Sequence, residues 1–262
     1  MTYEMLEFNN KNGIATLTFN RQSVYNALNE QIHTELKDAL AIIKQDTSIR
    51  TLVITGKGKA FCTGQDLNER KQSQNKKVDL GESIERKYMP LIMSLNDLKI
   101  PTIAYVNGIC AGAGVGIALS CDIVVACEEA YFLQAFCKIG LIPDSANTYF
   151  LPRLVGLAKA KELCLLGEKI TAQEALRLGL IARVYDKDTA PSEVSKLAKH
   201  FASAPTLGLS LIKQALNQSL DNSLQEQLLV EKTLQQQAGF SDDYREGVNA
   251  FFEKRQPIFK GK

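Results

Sequence analysis

Two glycine-rich segments, each following a predicted strand, are the parts of the sequence best suited to chemistry at the main chain. The first covers residues 60–67 (AFCTGQDL), and the second covers residues 107–116 (NGICAGAGVG) and opens a predicted helix. Small residues let a main chain approach a ligand closely, and N–H groups at a helix start favour negative charge. Two such loops can direct two N–H groups at one oxygen, which is the arrangement of an oxyanion hole.

Each glycine segment also has a structural explanation. Gly64 alone would fit a turn, and residues 112–116 would allow a helix to pack closely against a neighbour. The same run faintly resembles a dinucleotide-binding loop, but the spacing G-x-G-x-x-G would place its third glycine at Ile117. No G-x-x-x-x-G-K-[ST] segment is present in the sequence, which excludes an ATPase with that phosphate-binding loop.

Asp144, which follows Ile142 and Pro143, is a candidate general base. A carboxylate in an apolar pocket has a raised pKa, because desolvation disfavours its charged form. One such group can take a proton from carbon and return it two carbons away while an oxyanion hole stabilises the enolate. The alternative is structural, because Asp is also a favoured N-cap of a helix that follows it.

Composition and charge exclude several other classes of protein. The 31 Lys and Arg and 29 Asp and Glu residues leave a net charge of +2, too balanced to favour nucleic acid or a membrane as the main partner. No run approaches the roughly 18 apolar residues of a membrane span, and residues 1–10 lack the apolar core of a secretory signal. His33 and His200 lie in predicted helices, so we expect no metal site. The six cysteines form no C-x-x-C pair, which is typical of reduced thiols in a cytoplasmic protein.

Short strands alternating with helices are predicted to position the two loops. Residues 5–19 predict a β-hairpin, and a helix follows whose apolar residues at 28, 32, 36, 40 and 43 share one face. Further strands are predicted at 52–55, 102–106 and 123–126, a loop at 56–66, and a mobile charged stretch at 71–77. This alternation indicates an α/β core with parallel strands. The pattern is helical from Pro191 onward.

Four segments together resemble the enoyl-CoA hydratase/isomerase (crotonase) superfamily. They are residues 61–67 (FCTGQDL), 106–114 (VNGICAGAG), 121–124 (CDIV) and 139–144 (IGLIPD). The resemblance extends over essentially the whole chain. Finer features, among them residues 64–68 (GQDLN) and 243–247 (DYREG), resemble the ring-1,2-epoxyphenylacetyl-CoA isomerases within that superfamily.

The resemblance implies an α/β crotonase fold, a ClpP-like spiral of ββα repeats with a helical C-terminal trimerisation region. We expect residues 1–204 to form the core for binding and catalysis, and residues 205–262 to form the oligomerisation region of a homotrimer or hexamer. The implied substrate is an acyl-CoA thioester, so coenzyme A is part of the substrate and no separate cofactor is expected. By motif position, Gln65 and Ala113 would supply the oxyanion-hole N–H groups and Asp144 the proton shuttle. The implied substrate-binding residues are Thr63, Gly64, Gln65, Asp66, Leu67, Gly112 and Ala113.

The two glutamates with which hydratases of the superfamily place and split water are absent. By motif position they belong at Gly116 and Phe136. Their absence favours an isomerase of a double bond or ring epoxide over an enoyl-CoA hydratase of fatty-acid or phenylacetate degradation. Introducing Glu at Gly116 would then be a way to raise hydratase activity, at a cost in stability. A non-catalytic subunit that scaffolds a partner hydratase is the third possibility.

Two further features bear on substrate and assembly. The related epoxide isomerases carry glycines after the Asp, where this chain has Ala146 and Asn147, so the acyl group stays open; Ser145 or Asn147 is placed to bond the carboxylate. In the last helix, Val248 and the two phenylalanines at 251 and 252 share an apolar face that needs a covering surface. The resemblance implies that this tail packs between subunits, with the lysines at 254 and 260 as candidates to approach the CoA phosphates.

Overall fold

Two β-sheets surrounded by helices form the core of the computed structural model, which describes residues 3–71 and 79–262. The strands are β1 (Leu6–Lys11), β2 (Ile14–Phe19), β3 (Thr51–Gly56), β4 (Ala60–Cys62), β5 (Thr102–Val106), β6 (Ile109–Ala111), β7 (Ile123–Cys127), β8 (Tyr131–Leu133), β9 (Lys169–Thr171) and β10 (Arg183–Tyr185). Within the described ranges, the first sheet has the order β1-β2-β3-β5-β7-β10 and the second has the order β4-β6-β8-β9.

The helices cover the sheets and fill the C-terminal part of the chain. They are α1 (Glu30–Gln45), α2 (Asn68–Lys71), α3 (Leu80–Ser83), α4 (Met89–Asn96), α5 (Ala113–Leu119), α6 (Asn147–Val155), α7 (Leu157–Leu166), α8 (Ala172–Arg177), α9 (Ala190–Ser203), α10 (Thr206–Ser219), α11 (Leu224–Gly239) and α12 (Asp242–Glu253). A π-helical turn, Ile84–Tyr88, leads into α4, and 3-10 turns occupy Gln22–Val24 and Ala135–Ile139.

Pairs of strands that alternate between the two sheets generate the spiral. β3, β5 and β7 are parallel neighbours in the first sheet, and each is followed along the chain by a short strand of the second sheet, β4, β6 or β8. β4, β6 and β8 are also parallel to one another. A helix follows each pair, so the chain repeats a ββα unit, as the resemblance to the crotonase superfamily implied.

The predicted hairpin and the first helix are both confirmed. β1 and β2 pair antiparallel, with Leu6 opposite Phe19. α1 begins after Asn29, whose side chain accepts a hydrogen bond from the Ile32 N–H and so caps the helix. The apolar side chains at 32, 36, 40 and 43 are buried, because their spacing puts them on one face of the helix. Leu28 is also buried, but it lies before the helix and pairs with Gln65.

The loop predicted at residues 56–66 is wrong in part, and most of the stretch predicted to be mobile lies outside the residues that the structure describes. Residues 56–66 were expected to be a loop, but residues 60–62 form β4, which pairs with β6. A three-residue strand between glycines is too short to produce an alternating hydrophobic pattern. Of the stretch at 71–77 that was predicted to be mobile, all but residue 71 lies outside the described residues.

The C-terminal part is helical, as predicted, and its end is tied back to the core. Buried Asp243 in α12 accepts hydrogen bonds from the main-chain N–H groups of Lys260, at 2.6 Å, and Gly261, at 2.7 Å. Arg50 donates to the main-chain oxygens of Ala204 and Phe259. Among residues 3–71 and 79–262, no helix combines the length and apolar content that a membrane span requires.

Candidate active site

The two glycine-rich loops meet through their backbones. Gly64 follows β4 with φ +84°, and Gly112 follows β6 with φ +54°, values that L side chains rarely adopt. A Cβ added to Gly64 would lie 3.0 Å from the Ala113 nitrogen, and one added to Gly114 would lie 2.2 Å from the Cys62 carbonyl oxygen. The contact between the loops therefore depends on the absence of side chains at these positions.

The two predicted N–H donors are free at this junction. Leu28 N–H donates to the Gly64 oxygen and Asp66 N–H donates to the Leu28 oxygen, which leaves the N–H of Gln65 outside that pairing. Ala113 is the first residue of α5, where N–H groups have no intrahelical acceptor. Within the part of the chain that the structure describes, neither N–H group donates a hydrogen bond. Both are available to an oxygen of a ligand.

The side chain of Gln65 is held in place by two neighbours rather than left free for chemistry. Its Oε1 accepts a hydrogen bond from the Tyr88 hydroxyl at 2.7 Å, and its Nε2 donates to Glu69 at 3.2 Å. Thr63 on the same loop donates to the main-chain oxygen of Tyr25, and Leu67 is 52% exposed. These contacts are consistent with a loop that offers main chain and apolar surface to a ligand.

Asp66, also predicted to bind substrate, has its carboxylate engaged within the protein. Its Oδ2 pairs with Arg21 at 2.9 Å and its Oδ1 accepts from the Asn68 N–H at 3.0 Å. Burial alone would raise the pKa of Asp66, but these hydrogen bonds outweigh burial and hold the pKa below its usual value. The carboxylate therefore stabilises the shape of the loop, and direct contact of Asp66 with substrate stays a prediction.

Asp144 lies in the loop before α6, partly buried and without an ion pair in the described residues. Burial raises the pKa of Asp144, although the Ser145 hydroxyl, which donates to Asp144 Oδ1 at 2.9 Å, partly offsets that rise. The alternative role as a helix cap is wrong. α6 begins at Asn147, its N-cap is Ala146, and no side chain caps it. A carboxylate whose pKa is raised by burial, and which caps no helix, is a stronger base than an exposed carboxylate and is suited to accept a proton.

Buried Asn147 connects Asp144 to the second glycine-rich loop. Its Nδ2 donates to the Asp144 carbonyl oxygen at 2.8 Å and to the Gly112 carbonyl oxygen at 3.2 Å. The carboxylate of Asp144 thus has Ser145 as its partner, whereas Asn147 bonds the main chain. Ser145 and Ala146 adopt left-handed φ values of +52° and +61°, a conformation that costs non-glycine residues about 1–2 kcal/mol each. The sequence does not predict this turn.

Of the two positions of the missing hydratase glutamates, Gly116 has no room for a side chain and Phe136 is filled by a buried aromatic ring. A Cβ at Gly116 would lie 2.0 Å from the Ser145 carbonyl oxygen, so the first turn of α5 packs directly on the loop that carries Asp144. Phe136 is buried, and its Cζ would lie 3.8 Å from a Cβ at Gly112. The expectation that Glu at Gly116 would raise hydratase activity conflicts with this packing, because even the first side-chain atom has no room.

Comparisons with known proteins agree with this architecture and these motifs. Residues 9–262 match the family described as enoyl-CoA hydratase/isomerase. The chain is 47% identical over 251 residues to 1,2-epoxyphenylacetyl-CoA isomerase of Escherichia coli (strain K12), which covers 95% of this chain and 96% of that protein. It is 38% identical to 2,3-dehydroadipyl-CoA hydratase of the same strain, over 95% of this chain and 96% of that protein.

A solved structure gives the same result for the fold. The structure of an enoyl-CoA hydratase from Bacillus anthracis superposes with a TM-score of 0.93 at 30% sequence identity, covering 99% of this chain and 100% of that one. The spiral of ββα units is therefore a crotonase fold, as the sequence predicted. By sequence match, by fold and by its paired glycine loops, the chain belongs to the enoyl-CoA hydratase/isomerase family.

Proposed function

We propose that this chain isomerises a double bond or ring epoxide of an acyl-CoA thioester. The thioester oxygen would accept hydrogen bonds from the N–H groups of Gln65 and Ala113, which stabilise the negative charge of an enolate. Asp144 would take a proton from carbon and return it at another carbon, so that one carboxylate serves both half-reactions. Coenzyme A enters with the substrate, and Thr63 to Leu67 would contact it.

The observation that carries the proposal is that neither of the two positions at which hydratases of the family carry a catalytic glutamate, Gly116 and Phe136, holds a carboxylate. Hydration needs one group that activates water and another that protonates carbon. Gly116 and Phe136 supply neither, and Ser145 occupies the space that a side chain at Gly116 would need. Asp144, whose pKa burial raises, is left as the acid–base group. The 47% identity to an epoxyphenylacetyl-CoA isomerase supports the same assignment.

The second candidate is an enoyl-CoA hydratase, which the 38% identity to 2,3-dehydroadipyl-CoA hydratase favours. A panel of 2-enoyl-, 3-enoyl- and ring-epoxide acyl-CoA esters distinguishes the two functions by product mass, because an isomer keeps the mass of its substrate and a hydrated product gains one water. We expect isomers from the second or third class. Crotonyl-CoA should be hydrated poorly, since the water-activating pair is missing.

Hydration of crotonyl-CoA at an ordinary enzymatic turnover, about 1–10³ per second, would contradict the isomerase proposal. Inactivity on the whole panel, with a hydratase co-purifying in stable proportion, would instead support the non-catalytic subunit. The proposal thus has a distinct readout for each of its competitors.

For the assembly, we propose a homotrimer or a dimer of trimers held by the C-terminal helices. Phe251 and Phe252 are 78% and 77% exposed, and with Val248 and Phe259 they line a groove of about 780 Å³. Contiguous apolar surface of this kind is typical of a protein interface. Light scattering at micromolar concentration should give the mass of three or six chains, and a stable monomer would contradict the assembly.

A further inference from the structure

Asn147 lies between the glycine-rich loop of Gly112 and the turn that carries Asp144. Most of the hydrogen-bonding capacity of its carboxamide is satisfied within the protein. The residue is completely buried. Its Nδ2 donates to the carbonyl oxygens of Gly112 and Asp144, and its Oδ1 accepts from Gln134 Nε2 at 2.8 Å. The two carbonyls fix which end of the carboxamide faces them, because the reverse orientation would place Asn147 Oδ1 against two carbonyl oxygens. The bond from Gln134 then holds the opposite end.

The bond to Gly112 acts on the oxyanion hole through the geometry of one peptide group. The carbonyl of Gly112 and the N–H of Ala113 belong to the same planar unit, so fixing the oxygen fixes the direction of the N–H. Gly112 has no side chain to restrain that plane, and its φ of +54° and ψ of −125° lie in a region open mainly to glycine. A hydrogen bond accepted by the carbonyl also polarises the amide and strengthens its N–H as a donor.

The bond to Asp144 acts on the other half of the site. Asp144 is followed by two left-handed residues, a turn that the local sequence does not favour. The side chain and the main-chain N–H of Asn147 both donate to the Asp144 carbonyl oxygen, at 2.8 and 3.0 Å. The carboxamide links this turn to the oxyanion-hole loop and so restrains both the base and the donor. The Val115 N–H, which donates to the same Gly112 oxygen at 3.1 Å, is a second restraint on that peptide group.

We propose that Asn147 is a positioning residue, which orients the Ala113 N–H and fixes its distance from the base Asp144. This inference deepens the proposed function and rests on it. Asn147 has no direct part in the reaction and acts through the two main-chain carbonyls. It should therefore contribute strongly to stabilisation of the bound enolate and much less to the affinity for a ground-state acyl-CoA.

Two probes separate these states in the wild-type protein and in two variants. A saturated acyl-CoA, butyryl-CoA, reports binding of the ground state. A β-ketoacyl-CoA, acetoacetyl-CoA, reports stabilisation of an enolate through its near-ultraviolet absorption. Asn147→Asp keeps the side-chain size and removes both donated bonds, and Asn147→Ala removes the carboxamide. Thr148→Ala, at the exposed neighbouring residue, is the matched control.

In both Asn147 variants we expect the bound enolate fraction and the isomerase kcat to fall about 10- to 100-fold. Complete loss of an oxyanion-hole donor costs about 10²–10³, which sets the upper bound for misorienting one. The Kd of butyryl-CoA should change less than about threefold, which distinguishes this effect from a general loss of structure. Thr148→Ala should match the wild type in all three measurements.

Wild-type enolate binding and kcat in a folded Asn147 variant would overturn the inference. If neither variant folds, Gln134→Met decides the matter, because it removes the anchor of the carboxamide and leaves Asn147 in place. It should lower the enolate fraction in the same direction by a smaller factor, and an unchanged fraction would again overturn the inference. The enolate readout needs only the oxyanion hole, so a failure of the isomerase proposal would appear separately, as absent turnover in the wild type.

Discussion

Asp144→Asn should lower isomerase turnover by about 10²–10⁴-fold, the usual contribution of a positioned general base. The change keeps the size of the side chain and its ability to accept the Ser145 hydrogen bond, and it removes basicity. Binding of the CoA ester should be nearly unchanged, since the N–H groups of Gln65 and Ala113 remain. Two rates test this prediction: turnover, and the exchange of substrate α- or γ-protons with deuterated solvent. Both rates should fall by the same factor.

The pH dependence gives a second readout of the same prediction. Burial raises the pKa of Asp144, so the base loses its proton-accepting form at a higher pH than an exposed carboxylate would. The acidic limb of kcat/KM should therefore lie above the usual carboxylate range in the wild type and disappear from the residual activity of Asp144→Asn. Glu128→Gln, which removes an exposed carboxylate away from the loop, should keep the wild-type profile.

Stability should move in the opposite direction to activity. A carboxyl whose pKa is raised by folding stabilises the fold when it is protonated, and this contribution is lost as the pH rises through the raised pKa. At a pH above this raised pKa the charged Asp144 is therefore a cost to stability, and Asp144→Asn should there unfold at an equal or higher denaturant concentration. Wild-type isomerisation and exchange in Asp144→Asn would refute the proton-shuttle role of Asp144.

The sequence predicted those elements whose patterns are local. The β1–β2 hairpin and α1 carry clear periodicity over many residues, and both are present. The ββα repeat was not visible as a period in the sequence, because its strands start at unequal intervals, with β3 at Thr51, β5 at Thr102 and β7 at Ile123. Only the resemblance to a known family indicated the spiral.

The parts of the site that could not be predicted depend on contacts between distant segments. The Asn147 bond to Gly112 spans 35 residues, and the Tyr88 bond to Gln65 spans 23. A lone Asn or Tyr carries no sequence signal for such a partner. The one available hint was that Ala146 and Asn147 replace the glycines expected after Asp144. In the structure, Asn147 is the centre of a buried hydrogen-bond network.

Gly116→Glu, which introduces one of the two glutamates expected in a hydratase, should abolish the proposed isomerase activity rather than create hydratase activity. The new Cβ would lie 2.0 Å from the Ser145 carbonyl oxygen and 2.8 Å from the Ser145 Cβ. Contacts below 3 Å with main chain cannot be relieved by rotating a side chain, so the loop that carries Asp144 must shift. Overpacking of a core typically costs about 1–3 kcal/mol, and a buried unpaired carboxylate adds several more.

Gly116→Ala isolates the steric part of this effect, since it adds the Cβ without the charge. We expect it to lower the free energy of unfolding by about 1–3 kcal/mol and to reduce isomerase kcat along with the displaced base. Gly239→Ala is the matched control, because a Cβ at this exposed glycine meets nothing within 4 Å outside its own helix and its chain neighbours, and the change should be neutral or slightly stabilising. Light scattering should accompany this control, because Gly239 also lines the groove proposed for the subunit interface. Chemical denaturation measures both changes. A folded Gly116→Glu protein that hydrates crotonyl-CoA would contradict this prediction. It would show that the loop carrying Asp144 can move far enough from α5 to admit a glutamate side chain.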